Sequence, residues 1–258
     1  MQSSSIEAIK AMKSTRMEKI KKEFKGLFWA FIIAMFVRTF MFQPFNIPSG
    51  SMYPTLMVGD FLFVSKYSYG YSRYSLPFAP NIIEGRIWSS QPERGQVVVF
   101  TNPKDTSFDY IKRLVGLPGD RIQVIQGVLH INGEPVKLEK IDDYHMIDDK
   151  THRLKVMPQY IETLPNGVKH HILKAKPFGE GDLDNTPEYV VPEGHYFMMG
   201  DNRDNSQDSR VMEKVGFIPE QYLIGPARIL FFSTEAKWYD VINWIPGIRF
   251  DRLIKVIE

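Results

Sequence analysis

The chain contains no cysteine. That excludes thiol nucleophiles, thiolate metal sites and any disulfide framework. It leaves the redox compartment open, because a cysteine-free domain folds equally well inside or outside the cell. Histidine is scarce too, limited to His130, His145, His152, His170, His171 and His195. None of these forms a ligand spacing such as His-Glu-x-x-His. The adjacent His170 and His171 read as exposed loop residues rather than ligands, since strand neighbours point to opposite faces. No metal and no organic cofactor is expected. A surplus of one charge is also missing: 32 Lys and Arg stand against 30 Asp and Glu, a net charge of +2. Such a balance gives no reason to expect a nucleic-acid partner. There is no internal repeat and no low-complexity tract. What remains is ordinary for a globular protein, with 43% hydrophobic and 24% charged residues over 258 positions, enough to bury a core without staples.

Long apolar runs are nearly absent, and the one present lies near the front. Residues 1–25 form a basic tail in which Lys10, Lys13, Arg16, Lys19, Lys21, Lys22 and Lys25 outnumber Glu7, Glu18 and Glu23. Ile6, Ile9, Met12, Met17, Ile20 and Phe24 fit a helical period loosely, which suits a helix on an anionic membrane surface or a solvated tail. Gly26 to Phe45 then supplies the roughly 20 residues that a hydrocarbon core of about 30 Å requires. Arg38 is its only charge, and an arginine near one end snorkels to the headgroups. Pro44 is expected to end the helix. A cleavable leader would carry small residues after a shorter apolar region, whereas this run closes on Phe-Gln-Pro-Phe-Asn-Ile-Pro. The expectation is an uncleaved transmembrane anchor over 26–45. The basic flank places the amino terminus in the cytoplasm and everything after Phe45 on the outer side of the cytoplasmic membrane.

Beyond the anchor, Asp60–Val64, Val97–Phe100, Arg121–Ile125 and Ile229–Phe232 read as buried strands. Asn132-Gly133 and Asn166-Gly167 mark hairpins. The expected fold class is mostly β: an antiparallel-sheet catalytic domain over 46–258, with a polar inserted subdomain at 140–186, tethered by one N-terminal transmembrane helix. Tyr67 to Pro92 reads as a surface loop. The segment around Trp238, Trp244, Ile245 and Ile248 is apolar, suiting either edge packing or contact with a bilayer.

Three clusters carry chemistry only when taken together. Pro48-Ser49-Gly50-Ser51-Met52-Tyr53-Pro54-Thr55-Leu56 alone is a turn-prone loop. In Tyr110-Ile111-Lys112-Arg113-Leu114 strand alternation gives Lys112 apolar neighbours. A lysine so placed loses solvation of its ammonium, and its pKa falls toward neutrality. The neutral amine can then take a proton from a serine hydroxyl. Gly200-Asp201-Asn202-Arg203-Asp204-Asn205-Ser206-Gln207-Asp208-Ser209-Arg210 is either a plain surface loop or a hydrogen-bonded scaffold for a site.

In this order, behind a single anchor, the clusters resemble the bacterial type I signal peptidases, as does the strand Arg94–Phe100. The likeness runs from Gln43 to Phe231 and is weakest across 140–186. It implies Ser51 as nucleophile and Lys112 as general base, with Ser49 helping the Ser51 backbone N–H bind an oxyanion. It further implies that Ser206 orients the base, that Met52 positions the substrate strand, and that Arg113–Asp201 and Arg210–Asp208 brace the site. The implied activity is removal of signal peptides from exported preproteins, after small residues, through an acyl-enzyme. The implied partners are those preproteins and membrane lipid. Other Ser-Lys peptidases share the chemistry: soluble self-cleaving repressors, conjugation-system maturation proteases and the mitochondrial inner-membrane peptidase. A silent, membrane-tethered β domain is the rival from another class. The residues do not speak to self-association.

Overall fold

The computed structural model describes residues 2–147, 154–236 and 245–257. A single helix, α1, runs from Gln2 to Phe36, so the basic tail and the apolar run are one continuous rod. A π-helical turn extends it over Val37–Met41. Met17–Met41 is long and apolar enough to cross a membrane. The run does not continue as helix to Phe45. Phe42–Asn46 is instead strand β1, paired antiparallel with β2 (Asp60–Ser65), Pro44 lying opposite Phe63. The physical reason is position. β1 is the edge of the sheet, where a proline can sit without removing a ladder hydrogen bond.

The body is built on one eight-stranded antiparallel sheet. After β2 come β3 (Val97–Thr101), β4 (Asp109–Gly116), and the hairpin of β5 (Arg121–Ile125) and β6 (Val128–Ile131). The polar excursion supplies β7 (Lys137–Lys140), β8 (Tyr144–Ile147), β9 (Leu154–Met157), β10 (Gln159–Thr163) and β11 (Lys169–Leu173). β12 (His195–Met199) and the long β13 (Leu223–Ser233) complete the body. Across the main sheet the order is β1-β2-β13-β3-β4-β12, closed by Ile218–Pro219, with Lys255–Val256 paired on β13 as the eighth strand. β3 is buried on both faces, which explains its unbroken Val-Val-Val-Phe run. Val97 and Val99 enter one core with Met52, Leu62 and Ile224; Val98 and Phe100 enter another with Leu114 and Met198. β13 passes close to β2, and a Cβ on Gly225 would strike the Ser65 carbonyl. Asn132 and Gly133 both adopt positive φ, the backbone of a type I′ hairpin turn.

Two expectations change here. Tyr67–Pro92 is no simple surface loop: Tyr69, Ser72 and Ser75 are buried, and Tyr71–Ser72 pairs with Arg86–Ile87. Its tip does face outward, with Phe78 and Trp88 exposed. The 140–186 excursion is polar in composition yet contributes Glu162, His170, Ile172 and Leu173 to the interior. Trp238 and Trp244 lie outside the described residues, while Ile245 is exposed.

Candidate active site

Ser49 is extended, and the chain then makes one 3-10 turn over Gly50–Met52 that presents Ser51. The turn is held from below and from the side. Met52 and Leu56 are fully buried in the core beneath it. Met52 seats the Ser51 turn from the core, so any positioning of a substrate strand by it would act through that turn. From the side, the Asn202 backbone N–H donates to the Ser51 carbonyl at 3.1 Å, and its Nδ2 donates to the Gly50 carbonyl at 2.9 Å.

β4 brings the lysine. Val98 pairs with Lys112 in register, so the side chain rises among apolar neighbours, and its ammonium nitrogen lies 5.4 Å from the Tyr110 ring centroid. Lys112 Nζ stands 2.8 Å from Ser51 Oγ and 2.8 Å from the Ile111 carbonyl. Burial lowers its pKa to about 8, against the pull of Asp208 and Asp201. Those carboxylates fail to hold the amine charged because arginines already occupy them. Arg113 grips Asp201 through Nε and Nη2, both at 2.9 Å. Arg210 grips Asp208 at 2.9 and 2.8 Å, and Asp208 also accepts from the Gly200 N–H at 2.9 Å. Burial would raise both acids, but the guanidiniums keep them below their usual range. The result is a brace with its charge satisfied internally around an amine that is left without a counter-ion.

Ser49 Oγ lies 3.4 Å from Ser51 Oγ, on the exposed lip of the site. Ser206 is buried nearby, where a Cβ on Gly200 would collide with both its side chain and the Ser51 carbonyl. Its hydroxyl lies against Asp208 and helps to lower that acid, and the expected bond to Lys112 is not made; the amine turns to Ser51 and the Ile111 carbonyl instead. Sequence reasoning missed several members of the brace. Thr55 Oγ1 donates to Asp201 at 2.5 Å. Arg203 pairs with Glu162 at 2.5 Å, and His170 Nε2 sits 3.3 Å from Glu162 and 3.9 Å from Asp201. His170 is thus a buried strand residue rather than an exposed loop one. Burial first, then Arg113, lower its pKa, against the pull of Glu162 and Asp201. Gly200 and Asn202 fall inside the acidic motif and were within reach of the sequence; Glu162 and His170 carry no local signal.

The family model described as signal peptidase, peptidase S26 matches residues 20–232. The chain belongs to the signal peptidase family. A signal peptidase I of Rickettsia typhi is 42% identical over 253 residues, covering 92% of this chain and 93% of its own. One from Rickettsia conorii is 40% identical over 260 residues, 94% of this chain and 95% of its own. A crystal structure of a signal peptidase I from Enterococcus faecalis is 24% identical and covers 53% of this chain and 97% of its own. Its TM-score is 0.30, too low to speak to the fold. Within this signal peptidase family member, the apolar N-terminal helix is consistent with a membrane anchor.

Proposed function

We infer that the chain is a signal peptidase I that cleaves by a serine-lysine dyad. The observation that carries this is the 2.8 Å approach of a buried Lys112 Nζ to Ser51 Oγ. Neutral Lys112 takes the Ser51 proton as Oγ attacks the scissile carbonyl carbon. The oxyanion is received by the Ser51 backbone N–H and the Ser49 hydroxyl. Collapse breaks the C–N bond, Lys112 returns the proton to the departing amine, and an acyl-enzyme remains. Lys112 then deprotonates a water that attacks the ester carbonyl carbon, and returns that proton to Ser51 Oγ as the acyl–Oγ bond breaks.

Substrate docking follows from sheet topology. β12 pairs with β4 only from Arg113 to Gly116, so Asp109–Lys112 is bonded on one side by β3 and offers its other side to an incoming strand. Preference for small residues before the bond is read as shallow apolar pockets beside Ser51. Only nine residues separate Met41 from Ser51, at most about 35 Å of extended chain. The site therefore stays within reach of a bilayer that holds a precursor's own apolar segment. The basic N-terminal flank supports a site on the outer face of the cytoplasmic membrane.

The test is cleavage of a precursor with an alanine-type site by the full chain in detergent, beside Ser51→Ala and Lys112→Ala. Both variants should fold and lose processing by at least a thousandfold. Native-rate cleavage by Lys112→Ala would remove the base assignment. Binding without cleavage by the native protein would favour a tethered binding domain.

A further inference from the structure

Buried cations in this protein follow a rule, and one breaks it without catalytic cause. Arg113, Lys174, Arg203, Arg210 and Arg252 are each buried against a carboxylate. Among the described residues, the two buried lysines with no carboxylate within ion-pair distance are Lys112 and Lys66. Lys112 needs that isolation to serve as a base. Lys66 is only 1% exposed, and no hydroxyl is among the hydrogen-bond partners of its Nζ in the described residues. Its Nζ donates to two neutral acceptors, Gln43 Oε1 at 2.9 Å and the Arg38 carbonyl at 3.4 Å. An unpaired buried charge is costly, and burial together with Arg38 lowers the Lys66 pKa to about 8.

Lys66 lines a cavity of about 630 Å³ where the membrane helix meets the body. Arg38 and Arg73 line the same cavity. Arg73 donates to Asn81 at 3.3 Å, and its buried Nε has no hydrogen-bond partner. Neither arginine is ion-paired among the described residues. The one acid on the wall, Asp109, is bonded to Thr101, and burial raises its pKa. Three cations thus face one weakened carboxylate. The rest of the wall includes Met35, Leu76 and Phe78, and Phe78 is fully exposed at the rim.

We propose that this cavity binds the phosphate headgroup of an anionic lipid, with Lys66, Arg38 and Arg73 on the phosphate and the acyl chains leaving past Met35 and Phe78. The chemistry recognised is a phosphate; the apolar rim beside a membrane helix selects the lipid-borne form. The proposal rests on reading Met17–Met41 as membrane-inserted, not on the peptidase reading.

The test is calorimetric titration of the full chain in detergent with short-chain phosphatidylglycerol, short-chain phosphatidylcholine and inorganic phosphate. Phosphatidylglycerol should saturate one site per chain, and phosphatidylcholine should show no saturable binding. Arg73→Gln and Arg38→Gln should each weaken phosphatidylglycerol at least tenfold. Lys66→Met should do the same, and the two arginine variants carry the test if it fails to fold. Unchanged affinity in both arginine variants, or equal saturation by phosphatidylcholine, overturns the site. Inorganic phosphate binding as tightly as the lipid would overturn the lipid assignment and leave a free-anion site. Flotation with vesicles reports membrane insertion separately, and precursor cleavage on the same preparations reports the peptidase reading.

Discussion

At the scale of single residues, Lys112 sets the pH behaviour of the proposed enzyme. Its amine titrates near 8 in the folded chain, and only the neutral form takes the serine proton. The rate constant kcat/KM on a precursor peptide should therefore rise with pH and level off above about 8; a profile flat from 6 to 9 would exclude Lys112 as base. The same shift acts on stability. Below about 8 the amine is protonated in both folded and unfolded chains, and its desolvation cost is felt in full. Between about 8 and the ordinary 10.5 the unfolded chain binds more protons, so stability rises with pH. Lys112→Met removes the cost, and should stabilise the inactive protein by roughly 3 kcal/mol at pH 7, with the gain shrinking as pH approaches 10.5. Denaturant midpoints at pH 7 and 10 measure it. Gly200 offers a complementary case: Gly200→Ala would press a methyl between Ser206 and the Ser51 carbonyl, and should lower kcat while leaving the fold intact by circular dichroism.

At the scale of elements, the Arg113–Asp201 pair ties β4 to the loop after β12. Arg113→Gln leaves Asp201 buried with its main cation gone, and should cost about 3–5 kcal/mol, read as a lower denaturant midpoint. How much of this was legible depends on how local each signal is. β2, β3 and β5 declare themselves through short apolar runs, and the turn at Asn132-Gly133 through residues that accept positive φ. β1 was hidden because Phe42–Phe45 continues the apolar composition of the helix, and a short apolar run does not reveal its own period. What decides it is a partner strand some twenty positions later. The same holds inside the site. Ser51 and Lys112 are recognisable from their flanks, and their 2.8 Å approach joins residues 61 apart. Glu162 and His170 are polar residues in a polar stretch, and only the closing of β10 and β11 over the acidic loop buries them.

At the scale of the whole molecule, helix and body divide the work. A chain lacking residues 2–36 should still cut a soluble peptide in detergent at near the native rate, but lose at least tenfold on precursors reconstituted in vesicles, because the site would no longer be held at the bilayer. The sheet order carries a further consequence, for the timing of assembly. β13 lies between β2 and β3 and pairs Ala227 with Val64 and Pro226 with Val98. Ser51 and Lys112 are made early, yet the strand that joins their supports, Leu223–Ser233, follows Lys112 by more than a hundred residues. Contacts this distant in sequence carry a large loop-closure cost and make folding slow. A nascent chain halted before Leu223 would hold both reactive residues without the scaffold that sets their distance, so it should stay silent until the strand Leu223–Ser233 has been delivered and paired.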